Sequence, residues 1–76
     1  MLKVGTRCYI KKASVASMRA HNKYRLKGYM LKCPCNYSEV DELVVVSQLS
    51  NTLAMVSPVL HPKVLTICVW SDLHKI

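Results

Sequence analysis

Two sets of residues in this 76-residue sequence have the types and spacing to do chemistry. The first is cationic and aromatic: Arg7, Tyr9, Lys11, Lys12, Arg19, Lys23, Tyr24, Arg25, Lys27 and Tyr29 follow one another within 23 positions. Cations at that density neutralise phosphates and release counterions, and phenol rings placed among them stack on bases. The second set is sulfur. Cys33-Pro34-Cys35 places two thiols one residue apart, and Cys8 and Cys68 sit on strand-like apolar segments. Four thiolates would satisfy tetrahedral zinc, with His21 or His61 able to replace one, but the usual two-residue spacer is missing. Cys8 and Cys68 read more simply as small buried hydrophobes, and Cys33/Cys35 could instead oxidise reversibly. A nucleophile such as Cys35 with His61 or His21 as base can be drawn. No Gly-rich phosphate loop or paired carboxylate motif accompanies it, so the chain is expected to be non-catalytic, without cofactor or metal.

Charge is segregated. Nine of the eleven Lys and Arg residues lie in the first 32 positions, which hold no Asp or Glu; all four acids (Glu39, Asp41, Glu42, Asp72) come later, and the net charge is +7. Such a field steers the chain toward a negative partner, either nucleic acid or an acidic protein surface. Nothing resembles a recognition helix, so backbone contact rather than base readout is expected. Arg7, Tyr9 and Lys11 share one parity and would project together from a first strand.

Elements to carry these side chains can be read from the pattern. Residues 3–11 alternate as a half-buried strand, with Val4, Cys8 and Ile10 on the buried parity. Residues 14–21 favour a short helical turn, capped by Ser14 and ended by a left-handed Asn22; otherwise 12–24 is one long basic loop. Residues 24–33 read as a second strand, bent at Gly28 and ended by Pro34. Leu43–Leu49 is a strong β-branched third strand, Ser50-Asn51 a tight reversal through positive φ at Asn51, and Thr52–Val56 a fourth. Pro58 makes 57–60 a ragged edge or bulge, Val64–Trp70 is a fifth strand, and Ser71-Asp72-Leu73 a helical turn. Five short strands separated by turns indicate a small all-β barrel in a single domain spanning 1–76.

In layout the chain resembles the SH3-like small barrels, a group that includes short modules of translation, transcription and phage proteins. The opening strand Val4-Gly5-Thr6-Arg7-Cys8-Tyr9-Ile10, Gly28-Tyr29-Met30, and the ending Leu65 to Ile76 carry the resemblance. That ending is a strand, a one-turn Ser-Asp-Leu and a short last strand. The resemblance implies a five-stranded SH3-like barrel with a short helical turn in its first long loop. The acidic first loop and aromatic row of proline-peptide binders are absent, so polyproline recognition is not implied.

The start lacks the apolar run of a signal peptide, and apolar runs reach only four residues, far below the ~20 of a membrane helix. An intracellular, reducing, cytoplasmic location with no membrane contact is therefore expected, and the thiols should be reduced. Val44, Val46, Met55, Val59, Leu60 and Trp70 could exceed what a thin core buries and make a homodimer surface. Trp70, at a strand end, is the candidate protein contact. The function expected is a small non-catalytic module that binds nucleic-acid backbone through its basic, Tyr-interleaved face. The alternative is a phage-type inhibitor or adaptor docking on an acidic surface of a larger host enzyme.

Overall fold

The computed structural model describes residues 1–25, 28 and 31–76. Lys27 and Tyr29, and the middle of the expected strand 24–33, lie outside the described residues. Alternation delivers β1 over Arg7–Ile10, with Cys8 and Ile10 fully buried and Arg7 in solvent. The strand begins later than residue 3 because Gly5, at φ 91°, sits in a turn closed by Thr6 N–H donating to the Lys3 carbonyl at 3.0 Å. Val4, expected on the buried parity, is 65% exposed in that turn.

The first long connection holds a full helix rather than a short turn: α1 spans Val15–Arg25. Ala16, Met18, Arg19 and Ala20 are good helix formers, and the buried Ser17, Ala20 and His21 fall at i, i+3 and i+4 on one face. Asn22 does not end it. The left-handed position expected there belongs to Gly28, at φ 86°, whose N–H donates to the Arg25 carbonyl at 3.1 Å. The expected strand 24–33 is thereby overturned at its start, because Tyr24 and Arg25 are helical. At its other end Leu31 makes only an isolated parallel bridge with Leu65, and Pro34 opens a 3-10 turn over Pro34–Asn36.

Four further strands complete one antiparallel sheet: β2 Leu43–Gln48, β3 Leu53–Pro58, β4 Thr66–Val69 and β5 Leu73–Lys75, in the order β4-β3-β2-β1-β5. The class is all-β, with one α-helix among the described residues. The β2–β3 register shifts between Val45 and Ser47, so Val46 bulges out. The reversal at Ser50-Asn51 uses no positive φ; the Ser50 hydroxyl accepts the N–H groups of Thr52 and Leu53 instead. Pro58 stays in the strand, opposite Leu43, and Val59 N–H continues the pairing to the Glu42 carbonyl. A second 3-10 turn, Trp70–Asp72, leads into β5, where Tyr9 lies opposite His74 and Ile10 opposite Leu73.

Cys8, Ile10, Tyr37, Leu43, Val45, Ala54, Val56, Cys68 and Leu73 make the core, flanked by Leu2, Ala13 and Trp70. Successive strand residues face opposite ways, so Ile67 points away from the face of Cys68, and both are fully buried. The second face of β4 is covered because α1 packs against that strand. The outer edge of β4 is partly occupied as well: Lys32 N–H donates to the Leu65 carbonyl at 2.9 Å, and Thr66 Oγ1 donates to the Lys32 carbonyl at 3.1 Å. Of the apolar residues expected to overflow the core, Leu60 is 86% exposed; Val44, Met55, Val59 and Trp70 are half-buried.

Candidate nucleic-acid interface and the helix that carries it

Helix α1 is held by its N-terminus. The Ser14 hydroxyl accepts Ser17 N–H at 3.3 Å, the expected cap. Asp72, 58 positions away, places one carboxylate oxygen at the same end, where it accepts Ser14 N–H and Ser14 Oγ–H, both at 2.9 Å. The same oxygen accepts Ser17 Oγ–H. Ser17 Oγ in turn accepts Val69 N–H at 2.9 Å, so the helix is tied to the end of β4 through a fully buried hydroxyl. A carboxylate here also meets the positive end of the helix dipole. Sequence reasoning found the Ser14 cap but not Asp72, and no local signal marks a partner so distant in sequence.

With its inner face fixed, α1 turns Arg19 and Lys23 to solvent at i, i+4, about 6 Å apart along the axis. Arg25 is exposed in the last turn, and Lys11 and Lys12 are exposed on the segment leading into the helix. These five of the expected cations share one continuous stretch of chain. Tyr24 is half-buried on the inner flank of the helix. Tyr9 is also half-buried, and its ring stacks on His74 with centroids 5.2 Å apart, which covers one of its faces. Arg7 leaves the set: it is exposed, but its Nη1 donates to Glu42 Oε1 at 3.2 Å. Lys32 is exposed too, with its ammonium 5.1 Å from the Tyr37 ring centroid.

Asp41 accepts Ser38 N–H at 2.9 Å, and Asp41 and Glu42 line a hollow with Val40, Pro58 and Leu60. Among the described residues Arg7–Glu42 is the one ion pair. His21, buried under the helix, has its pKa lowered by burial and by neighbouring Arg25, and its Nδ1 has no hydrogen-bond partner among the described residues. Trp70 is half-buried against the core, and its Nε1–H donates to the Ser50 carbonyl at 3.0 Å, so part of its ring is committed to the fold.

The four cysteines do not converge. Cys8 and Cys68 are free thiols inside the core, where burial pushes their pKa values up to about 11 and about 12. Cys33 is half-buried just before the 3-10 turn, and Cys35 is exposed in the middle of it. Among the described residues no three His, Cys, Asp or Glu side chains stand close enough to share a metal, so the four-cysteine zinc arrangement is not assembled. Among the same residues no helix is long and apolar enough to cross a membrane. Comparison with protein-family models, with curated proteins and with solved structures finds no match.

Proposed function

We propose that this chain is a non-catalytic binding module that grips nucleic-acid backbone with Lys11, Lys12, Arg19, Lys23 and Arg25. The observation that carries the reading is that all five are solvent-exposed on one stretch, and none is paired with an Asp or Glu among the described residues. Cations not paired with a carboxylate, three on the helix and two on the segment leading into it, are free to displace counterions from phosphates. We assign the scaffold to the SH3-like small barrels. Support comes from the last strand lying beside the first and from the single 3-10 turn joining β4 to β5. With Tyr9 stacked on His74, stacking on bases is a minor contribution, and sequence selectivity is low.

The test is affinity for a fluorescent duplex DNA and a single-stranded RNA between 50 and 200 mM salt (roughly the range over which phosphate contacts are read). Arg19→Ala with Lys23→Ala should lower the log–log salt slope on duplex DNA by about 1.8, at about 0.9 per lost phosphate contact. An unchanged slope in a folded variant refutes the reading.

One observation favours a second reading, an adaptor or inhibitor that docks on an acidic protein surface. Val15 is 68% exposed one turn before Arg19 on the same outward face, where phosphate binding needs no apolar group. Nuclease-resistant, stoichiometric capture of one acidic protein, lost in Val15→Asp, would favour that reading over nucleic acid.

A further inference from the structure

Three sulfur atoms from two elements meet where α1 packs on the 3-10 turn at Pro34. Cys33 Sγ lies 2.8 Å from Cys35 Sγ and 3.5 Å from the Met18 thioether sulfur. Either thiol can be the donor in the Cys33–Cys35 contact, and Cys33 also faces the Met18 sulfur. The helix is anchored separately, through Ser14, Ser17 and Asp72. Cys35 is exposed and Cys33 half-buried, so the cluster is open to solvent.

We propose that Met18, Cys33 and Cys35 form a binding site for copper(I). Two thiolates and a thioether are soft ligands, and soft ligands select a soft monovalent ion over oxygen-seeking cations. Zinc would need a fourth protein ligand in a closed site, and among the described residues no further His, Cys, Asp or Glu completes one. Copper(I) is content with two or three sulfurs. Sulfurs about 2.3 Å from a central ion in one plane stand about 4 Å apart, taking the metal–thiolate distance known for zinc. The Cys33–Met18 separation of 3.5 Å is already near that value. The Cys33–Cys35 pair must open from 2.8 Å, and Cys35 is the exposed member of the pair. Binding releases the two thiol protons to solvent and changes no oxidation state.

The experiment titrates the reduced, intact chain with copper(I) under argon against a chromophoric copper(I) chelator. One ion per chain is expected, with a sulfur-only shell by X-ray absorption. Cys35→Ser alone, at an exposed position, should abolish uptake in competition. Met18→Leu, which nearly conserves volume, should weaken binding about tenfold, while circular dichroism stays unchanged in both. Uptake that survives Cys33→Ser with Cys35→Ser would move the metal to Cys8 and Cys68 and overturn the site. Equal affinity in Met18→Leu, no uptake at all, or stoichiometric zinc retained under the same competition would each overturn it as well.

Discussion

Replacing Asp72 by Ala tests whether the helix that bears the basic surface is secured from the far end of the chain. The substitution removes the acceptor of three hydrogen bonds, from Ser14 N–H, Ser14 Oγ and Ser17 Oγ. A hydrogen bond to a charged group contributes about 1.5–3 kcal/mol. These three share one half-buried oxygen and overlap with the dipole interaction, so they do not add in full. A total near ~3 kcal/mol is expected, against roughly 4–11 kcal/mol for a domain of this size. The folded-to-unfolded ratio should fall about a hundredfold and the melting midpoint by roughly 12–24 °C. Asp72→Asn keeps an oxygen acceptor without the charge and should cost about half as much. Ser17→Ala should cost about 1–3 kcal/mol, because it also strips the Val69 N–H of its partner. Urea unfolding of the two single variants and the double variant completes a cycle, in which a coupling of about 1 kcal/mol or more is expected. Strict additivity, or an Asp72→Ala cost below about 0.5 kcal/mol, would refute the reasoning.

Other outcomes follow from groups already placed. A thiol reagent at neutral pH should label Cys33 and Cys35 and spare Cys8 and Cys68, whose pKa values are raised to about 11 and about 12, until denaturant is added; mass mapping of the labelled peptides reads this directly. His21 titrates lower folded than unfolded, so the unfolded chain takes up its proton first. The stability it confers should be complete above its ordinary value of 6.5 and drain away as pH falls below it; denaturation at a series of pH values should show this loss reduced in His21→Leu. Trp70→Phe should cost about 1–2 kcal/mol through the lost bond to Ser50 and reduced packing, measured by thermal unfolding. Arg7→Ala should change stability by less than about 1 kcal/mol, since its pair with Glu42 is exposed on both sides.

The parts of the fold legible in the sequence are those whose causes are local. Alternation marked Cys8 and Ile10, β-branched density marked β2, and the Ser-Asp-Leu turn before a last strand was visible as a pattern. The helix was legible only at its cap. A basic eleven-residue segment with Arg19 and Lys23 on one face is weak alone, and Asp72, which stabilises it, lies 58 residues later. Gly28 was read as a strand bend, although a glycine at positive φ serves equally well after a helix. The expected strand 24–33 failed at its start, since Tyr24 and Arg25 carry no local signal that chooses between helix and strand. In the candidate interface, position in the chain located Arg19, Lys23 and Arg25, but not the Glu42 that occupies Arg7 or the His74 that occupies Tyr9. The Met18 sulfur gave no signal at all, because its neighbours come from a different element.

The two borders of the sheet bear on what happens when this chain is concentrated. One border, β4, has Lys32 bonded at its start, to the Leu65 carbonyl and the Thr66 hydroxyl, and the other, β5, is three residues long and ends in His74 and Lys75. Short or occupied borders give another strand little to zip onto, which is how β-proteins avoid fibrils. For a sequence that is 51% hydrophobic, this keeps the backbone out of self-association. Self-assembly would then have to proceed through side chains such as Leu60 and Val40, each 86% exposed, and should respond to a polar substitution there rather than to proline in β5.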